Sequence, residues 1–197
     1  MRVMAFDDGP FRFGDASALL VGLVVRGQGY LEGAQFDRAS VDALDSTDVI
    51  ARMVAACPQR TSLKALLLDG LTFAGFNVVD LEDLRARTGV PVVTVVDKVP
   101  DPDAIIAALR GRFPDWEERW RRLRSPALHR IDLPDGGALT AHVSGCAVED
   151  ARELLRAMTL RGHLPEAMRM AHLVASGMPR LAEVAEWSAA RDRPRAD

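Results

Sequence analysis

The chain has 197 residues, 48% of them hydrophobic, and a formal net charge of −3. That length suits one well-buried core, and the weak negative balance excludes general electrostatic capture of nucleic acid, so any polyanion site must be local. Cys57 and Cys146 stand far apart, which excludes the paired spacing of a zinc cluster and argues for buried free thiols rather than a disulfide.

Taken in order, "RVMAFDD" (2–8) reads as a strand with no charged leader or long apolar segment before it, so a cytoplasmic protein without a membrane partner is expected. "FRFGD" is a turn, residues 16–27 a mostly buried second strand, and residues 29–40 an alternating third strand, giving an antiparallel meander. Residues 45–57 carry helix-start acids and then Val49, Ile50, Met53 and Val54 at helical spacing. The rhythm then alternates: a strand over 64–69, a helix over about 77–88, a strand over 91–96 and a helix in "PDAIIAALRGRF". Such alternation implies parallel strands joined by right-handed crossovers. "PDWEERWRRLRS" (114–125) predicts a short charged helix whose Trp116 and Trp120 read as a packing pair rather than a platform for bases. "ALHRIDL" and "GGALTAHVSG" read as strands joined by "PDGG", followed by a helix over 147–161 and another started by Pro165. A single domain over 1–190 is expected, with 191–197 as a frayed tail.

Three antiparallel strands, a helix and then parallel strands with crossovers make an α/β layout of the ribonuclease H-like kind, a mixed sheet flanked by helices. Acids sit where strands end: Asp7 and Asp8 after the first, Asp69 after the fourth. If those strands are neighbours, Asp7 and Asp69 converge, and a divalent cation resolves the cost of two buried carboxylates. Side-chain alternation lets only one of Asp7 and Asp8 face the ion, and Asp7 is the expected ligand, with Asp8 supporting the loop. Asp-Gly is also an ordinary turn pair, and Asp45 and Asp48 at the first helix also suit a cap or a first-turn acid, so each acid has a purely structural alternative. In "DGLTFAGFN", Gly70, Gly75 and Asn77 offer backbone or amide groups to a phosphate or base edge, and Phe73 and Phe76 either stack on an extruded base or fill the core.

Four segments, "DDGPF", "LLLDGLTFAGFNVVDLEDL", "GVPVVTVV" and "FPDWEERW", resemble in this order the endonuclease dU family, over nearly the whole chain. More distantly the chain is similar to endonuclease V, a metal-dependent repair nuclease, and "RGHLPEAMRMAHLVAS" resembles its C-terminal motif. The resemblance implies Asp7 and Asp69 as metal ligands and Asp48 as a third carboxylate, with Asp45 as its substitute. It also implies Lys98 beside the scissile phosphate, and His172 as a second-metal or leaving-group residue.

Two departures stand out. The aromatic wedge of endonuclease V is replaced by the short "ASVDALDSTD", and its Asp-Gly-His-Gly loop by "DGLTFAGF". The implied activity is Mg²⁺- or Mn²⁺-dependent hydrolysis of DNA near deaminated bases, deoxyuridine foremost, on single-stranded or lesion-containing substrate. An RNA-directed nuclease and a non-catalytic binding relative of the same fold are the alternatives.

Overall fold

The computed structural model describes residues 1–12, 14–96, 101–124, 127–133, 136–180 and 183. Its strands and helices follow in chain order. β1 (Arg2–Asp8), β2 (Ser17–Arg26) and β3 (Tyr30–Ser40) precede α1 (Ser46–Ala56) and β4 (Ala65–Asp69). The short β5 (Thr72–Phe73) and β6 (Asn77–Val78), α2 (Leu81–Thr88), β7 (Val92–Val96), α3 (Pro102–Arg112) and α4 (Trp116–Arg124) come next. β8 (Leu128–Asp132), β9 (Ala138–Ser144), α5 (Val148–Met158) and α6 (Glu166–Gly177) complete the described elements.

The main sheet has seven strands in the order β3-β2-β1-β4-β7-β9-β8. β1, β2 and β3 form the antiparallel meander expected from the sequence, and β4 and β7 add to it in parallel. β9 runs antiparallel to β7 and carries β8 at the far edge. The ends of β1, β3, β4 and β7 therefore fall on one edge of the sheet, which is where acids were expected to gather.

Helices cover both faces, so the central strands are apolar throughout rather than alternating. Residues 18–25 of β2 are all buried. Met4, Phe6, Leu66 and Leu68 pack with Ile50 and Met53 of α1 and Leu84 of α2 on one face. Val3, Ala5, Ala65 and Leu67 pack on the other with Leu155 of α5 and Ala167, Met168, Ala171 and Ala175 of α6. Each fully buried Leu or Phe contributes roughly 2 kcal/mol from removal of apolar surface from water. Gly22 sits opposite Phe6 in the β1–β2 pair, where a Cβ would come within 2.9 Å of Phe6 Cε1 and 2.7 Å of Met4 Cε. The glycine leaves the room that the Phe6 ring fills.

The structure shortens two predicted helices. Residues 77–78 pair with 72–73 in a small antiparallel ladder instead of opening the helix expected over 77–88. α2 begins only after Asp80, whose carboxylate accepts from the Asp83 N–H at 3.1 Å and so sets the start. α5 stops at Met158, since Thr159 is extended and Gly162 at φ 71° reverses the chain before Pro165. The 191–197 tail lies outside the described residues. No helix among the described residues is long and apolar enough to cross a membrane.

Candidate metal centre

The parallel pairing of β1 with β4 runs from Val3↔Ala65 to Phe6↔Leu68, so Asp7 and Asp69 continue the register at the ends of adjacent strands. Alternation decides which way they face. Val3 and Ala5, like Ala65 and Leu67, point to the layer holding α6, and Asp7 and Asp69 follow them. Met4 and Phe6 point the other way, and Asp8 follows those.

α6 buries Ala167, Met168, Ala171 and Ala175, a stripe at helical spacing whose small residues bring the helix close to β1 and β2. His172, beside that stripe, reaches the strand end. Its Nδ1 lies 2.9 Å from Asp7 Oδ2, with the His172 side chain 58% exposed and that of Asp7 10% exposed. One ligand atom from each of Asp7, Asp69 and His172 lies within 4.8 Å of the other two.

Burial raises the Asp7 pKa above the usual carboxylate range, opposed by the Asp8 N–H and by His172. Burial also raises the Asp8 pKa, to about 6, against a hydrogen bond from the Ala74 N–H and with the charges of Asp7 and Asp69 adding to the shift. Three carboxylates at one sheet edge thus repel one another in a partly dry setting, which is the condition a cation relieves. Two carboxylates and an imidazole on one face match the donor set of a divalent ion: the oxygens suit Mg²⁺ and Mn²⁺, and the imidazole nitrogen is a ligand transition metals accept.

The other predicted site residues are distributed differently. Asp48 is not among the three converging residues. It lies in the first turn of α1 with a side chain 60% exposed, bound to Arg87 of α2, on the opposite face from α6. Asp45 is held in the β3–α1 corner, its Oδ2 accepting from Ser40 Oγ at 2.6 Å and its Oδ1 from Asn77 Nδ2 at 2.6 Å. It makes no side-chain cap for α1; Asn77 Oδ1 does, accepting from the Ser46 N–H at 3.0 Å. Lys98 lies outside the described residues.

The "DGLTFAGFN" loop also departs from the expected base pocket. Phe73 is wholly buried in the core on the α1 and α2 side, and Asn77 is wholly buried in its capping role, so neither meets a base as folded. Gly70 turns the chain at φ 81° and donates to Val95 O at 3.0 Å. Gly75, at φ 88°, lies so close to Asp42 that a Cβ would collide with its Oδ1. Only Phe76 of the aromatic pair stays partly exposed.

Asp42, which the sequence did not single out, organises this loop. Its Oδ1 accepts from the Phe76 N–H at 2.8 Å, its Oδ2 pairs with Arg112 at 3.0 Å, and its own N–H donates to Ala74 O at 2.9 Å. Asp42 and Ala74 both adopt positive φ, 57° and 46°. Asp tolerates that region better than most residues, but nothing in "VDALD" marks which acid adopts it. Asp8 Oδ2 accepts from the Ala74 N–H at 2.8 Å, which joins the loop to the strand end.

Comparison with known proteins agrees with this architecture. The pattern of the endonuclease dU family matches residues 1–178. The chain is 41% identical over 180 residues to a UPF0215 protein of Methanothermobacter thermautotrophicus, covering 90% of this chain and 87% of that one. A solved protein of unknown function from Archaeoglobus fulgidus superposes with a TM-score of 0.78 at 32% identity, over 88% of this chain and 95% of that one. Endonuclease V of Ciona intestinalis, solved with inosine-containing DNA, superposes with a TM-score of 0.59 at 13% identity, over 88% of this chain and 83% of that one. The last likeness is one of fold, and the fold is ribonuclease H-like. Matched over nearly its whole length, the chain belongs to the endonuclease dU family.

Proposed function

We propose that this protein is a metal-dependent endonuclease that hydrolyses phosphodiester bonds in DNA beside deaminated bases, with deoxyuridine as the first lesion to test. The observation that carries the reading is the convergence of Asp7, Asp69 and His172 at the ends of adjacent parallel strands. Membership of the endonuclease dU family and the shared fold of endonuclease V support a nuclease; the lesion and the metal belong to this proposal.

Asp7 and Asp69 hold the ion, and His172 completes the set or stands beside it. A bound Mg²⁺ or Mn²⁺ supplies Lewis-acid polarisation of a phosphoryl oxygen and lowers the pKa of a coordinated water. The chain's own groups do the rest. His172, whose Nδ1 lies 2.9 Å from Asp7 Oδ2 and whose side chain is largely exposed, keeps the carboxylate oriented and, as the imidazolium, would protonate a leaving oxygen. Asp8, through Ala74, holds the following loop in place beside the strand ends. With no aromatic wedge in the β3–α1 connection, single-stranded or frayed DNA is the preferred substrate, because unstacking a base there costs less.

The test is incubation of the purified protein with Mg²⁺, Mn²⁺ or chelator and matched oligonucleotides carrying uracil, hypoxanthine or no lesion, single- and double-stranded, with RNA as a further arm. Metal-dependent nicking near uracil in single-stranded DNA supports the reading. Cleavage of RNA alone, or of nothing, contradicts it.

A further inference from the structure

Beyond the metal centre, one surface combines arginines and aromatics in a way the proposed reaction has not used. The β4–α2 loop and the α3–α4 turn meet at Asp42, which binds the Phe76 N–H on one side and the Arg112 guanidinium on the other. Phe76 and Phe113 then pack edge to face with ring centres 5.7 Å apart. Arg112 lies over both rings, at 5.8 Å and 5.5 Å. Arg110 lies 4.2 Å over the Trp116 ring. Buried Arg119 backs the group, 4.0 Å over Phe113 and donating to Phe76 O and Ala43 O.

Two properties distinguish this surface from ordinary packing. Phe76, Phe113 and Trp116 are each left partly open to solvent, and Arg110 is exposed and makes no ion pair with a carboxylate among the described residues. A free arginine on a half-open indole offers a nucleobase a flat cationic partner and a phosphate a positive charge together. The surface is also tied to the metal centre. Asp8 binds Ala74, Ala74 binds Asp42, and Asp42 holds Phe76 and Arg112, so the loop that carries Phe76 is fixed to the end of the strand that carries Asp7 and Asp8.

We propose that Phe76, Phe113 and Trp116, with Arg110 and Arg112, form a stacking track for single-stranded DNA flanking the scissile phosphate. The placement of the track relative to the cut rests on the nuclease reading; the binding itself does not. Single-stranded DNA is the occupant because stacked rings need unpaired bases, whereas a duplex presents only its phosphates here.

The experiment is fluorescence anisotropy in chelator, which prevents cleavage, with two labelled strands of about 12 nucleotides, one of thymidine and one of the same length made of abasic sugar-phosphate. Wild type, Trp116→Leu and Arg110→Gln are titrated, and each variant's melting temperature is recorded. Trp116→Leu is expected to weaken thymidine binding by about tenfold and abasic binding hardly at all, while Arg110→Gln weakens both. Arg110 is exposed, so its variant stays folded even if Trp116→Leu does not. Unchanged thymidine binding in Arg110→Gln, equal loss on both strands in a folded Trp116→Leu, or no binding of either strand by wild type overturns the track. If no oligonucleotide is ever cleaved but Trp116→Leu still loses thymidine binding selectively, with abasic binding kept, the nuclease reading fails and the track stands.

Discussion

His172 Nδ1 lies 2.9 Å from Asp7 Oδ2, joining the last described helix to the end of the first strand. The contact follows from α6 docking its Ala167, Met168, Ala171 and Ala175 stripe on β1 and β2, which leaves the next residue at the strand end. Because the His172 side chain is largely exposed, its removal makes no cavity. His172→Ala is therefore expected to slow cleavage by on the order of a hundredfold while changing stability by less than about 0.5 kcal/mol. Turnover and melting temperature on the same variant check this; a destabilised but fully active protein contradicts it.

Asp48 gives a sharper contrast, since the family resemblance and the geometry assign it differently. Its carboxylate pairs with Arg87 on an exposed surface. If that is its whole role, Asp48→Asn costs at most about 1 kcal/mol and leaves metal-dependent cleavage within a few-fold of wild type. Loss of cleavage comparable to that of Asp7→Asn would return Asp48 to the ligand set.

Asn77 distinguishes a buried cap from a base reader. It accepts from Ser46 N–H and donates to Ser40 O and Asp45 Oδ1, all from a fully buried position. Asn77→Ala strands those partners and is expected to cost roughly 3 kcal/mol, with the preference between uracil and undamaged strands unaltered in the protein that remains folded. Denaturant unfolding and a lesion-competition assay check the two halves; altered preference at unchanged stability contradicts the capping role.

Much of this was legible before the structure. The order of strands and helices followed from the switch between alternating and helical periodicity. The convergence of Asp7 with Asp69 followed from acids at the ends of strands expected to be neighbours. His172 carried only the motif "LPEAMRMAH", because an exposed histidine beside an apolar stripe has no periodic signal of its own. The loop between β4 and α2 was less legible. Its glycines and aromatics suit a ligand pocket and a folded-in loop equally, and what separates them is contact with Asp42, Asp45 and Ser40, more than thirty residues away in sequence. The two-residue ladder of β5 and β6 is too short for any periodicity to report.

Asp8 contributes a pH dependence of its own to the stability of the metal-free protein. Its pKa is raised from 3.8 to about 6 in the folded state, so the folded protein holds the Asp8 proton more tightly than the unfolded chain. The stabilising contribution is fully present below pH 4 and is lost as pH rises through 6, a change on the order of 3 kcal/mol. Asp8→Asn, which can still accept from the Ala74 N–H, removes that loss. In chelator it is expected to melt well above wild type at pH 7.5 and close to it at pH 4. Parallel pH profiles for the two proteins contradict this.

The central claim is that Asp7 and Asp69 hold the ion that makes this protein a nuclease. Its most direct test is the initial rate of cleavage of a single-stranded uracil-containing oligonucleotide against Mn²⁺ concentration, for wild type, Asp7→Asn and Asp69→Asn. Wild type should show a saturable dependence on Mn²⁺ and no cleavage in chelator. Each variant, with metal-free stability equal to or above wild type because a like-charge repulsion is relieved, should lose cleavage by at least about a thousandfold at every Mn²⁺ concentration. Cleavage by either variant at the wild-type rate, or by wild type in chelator, would contradict the account.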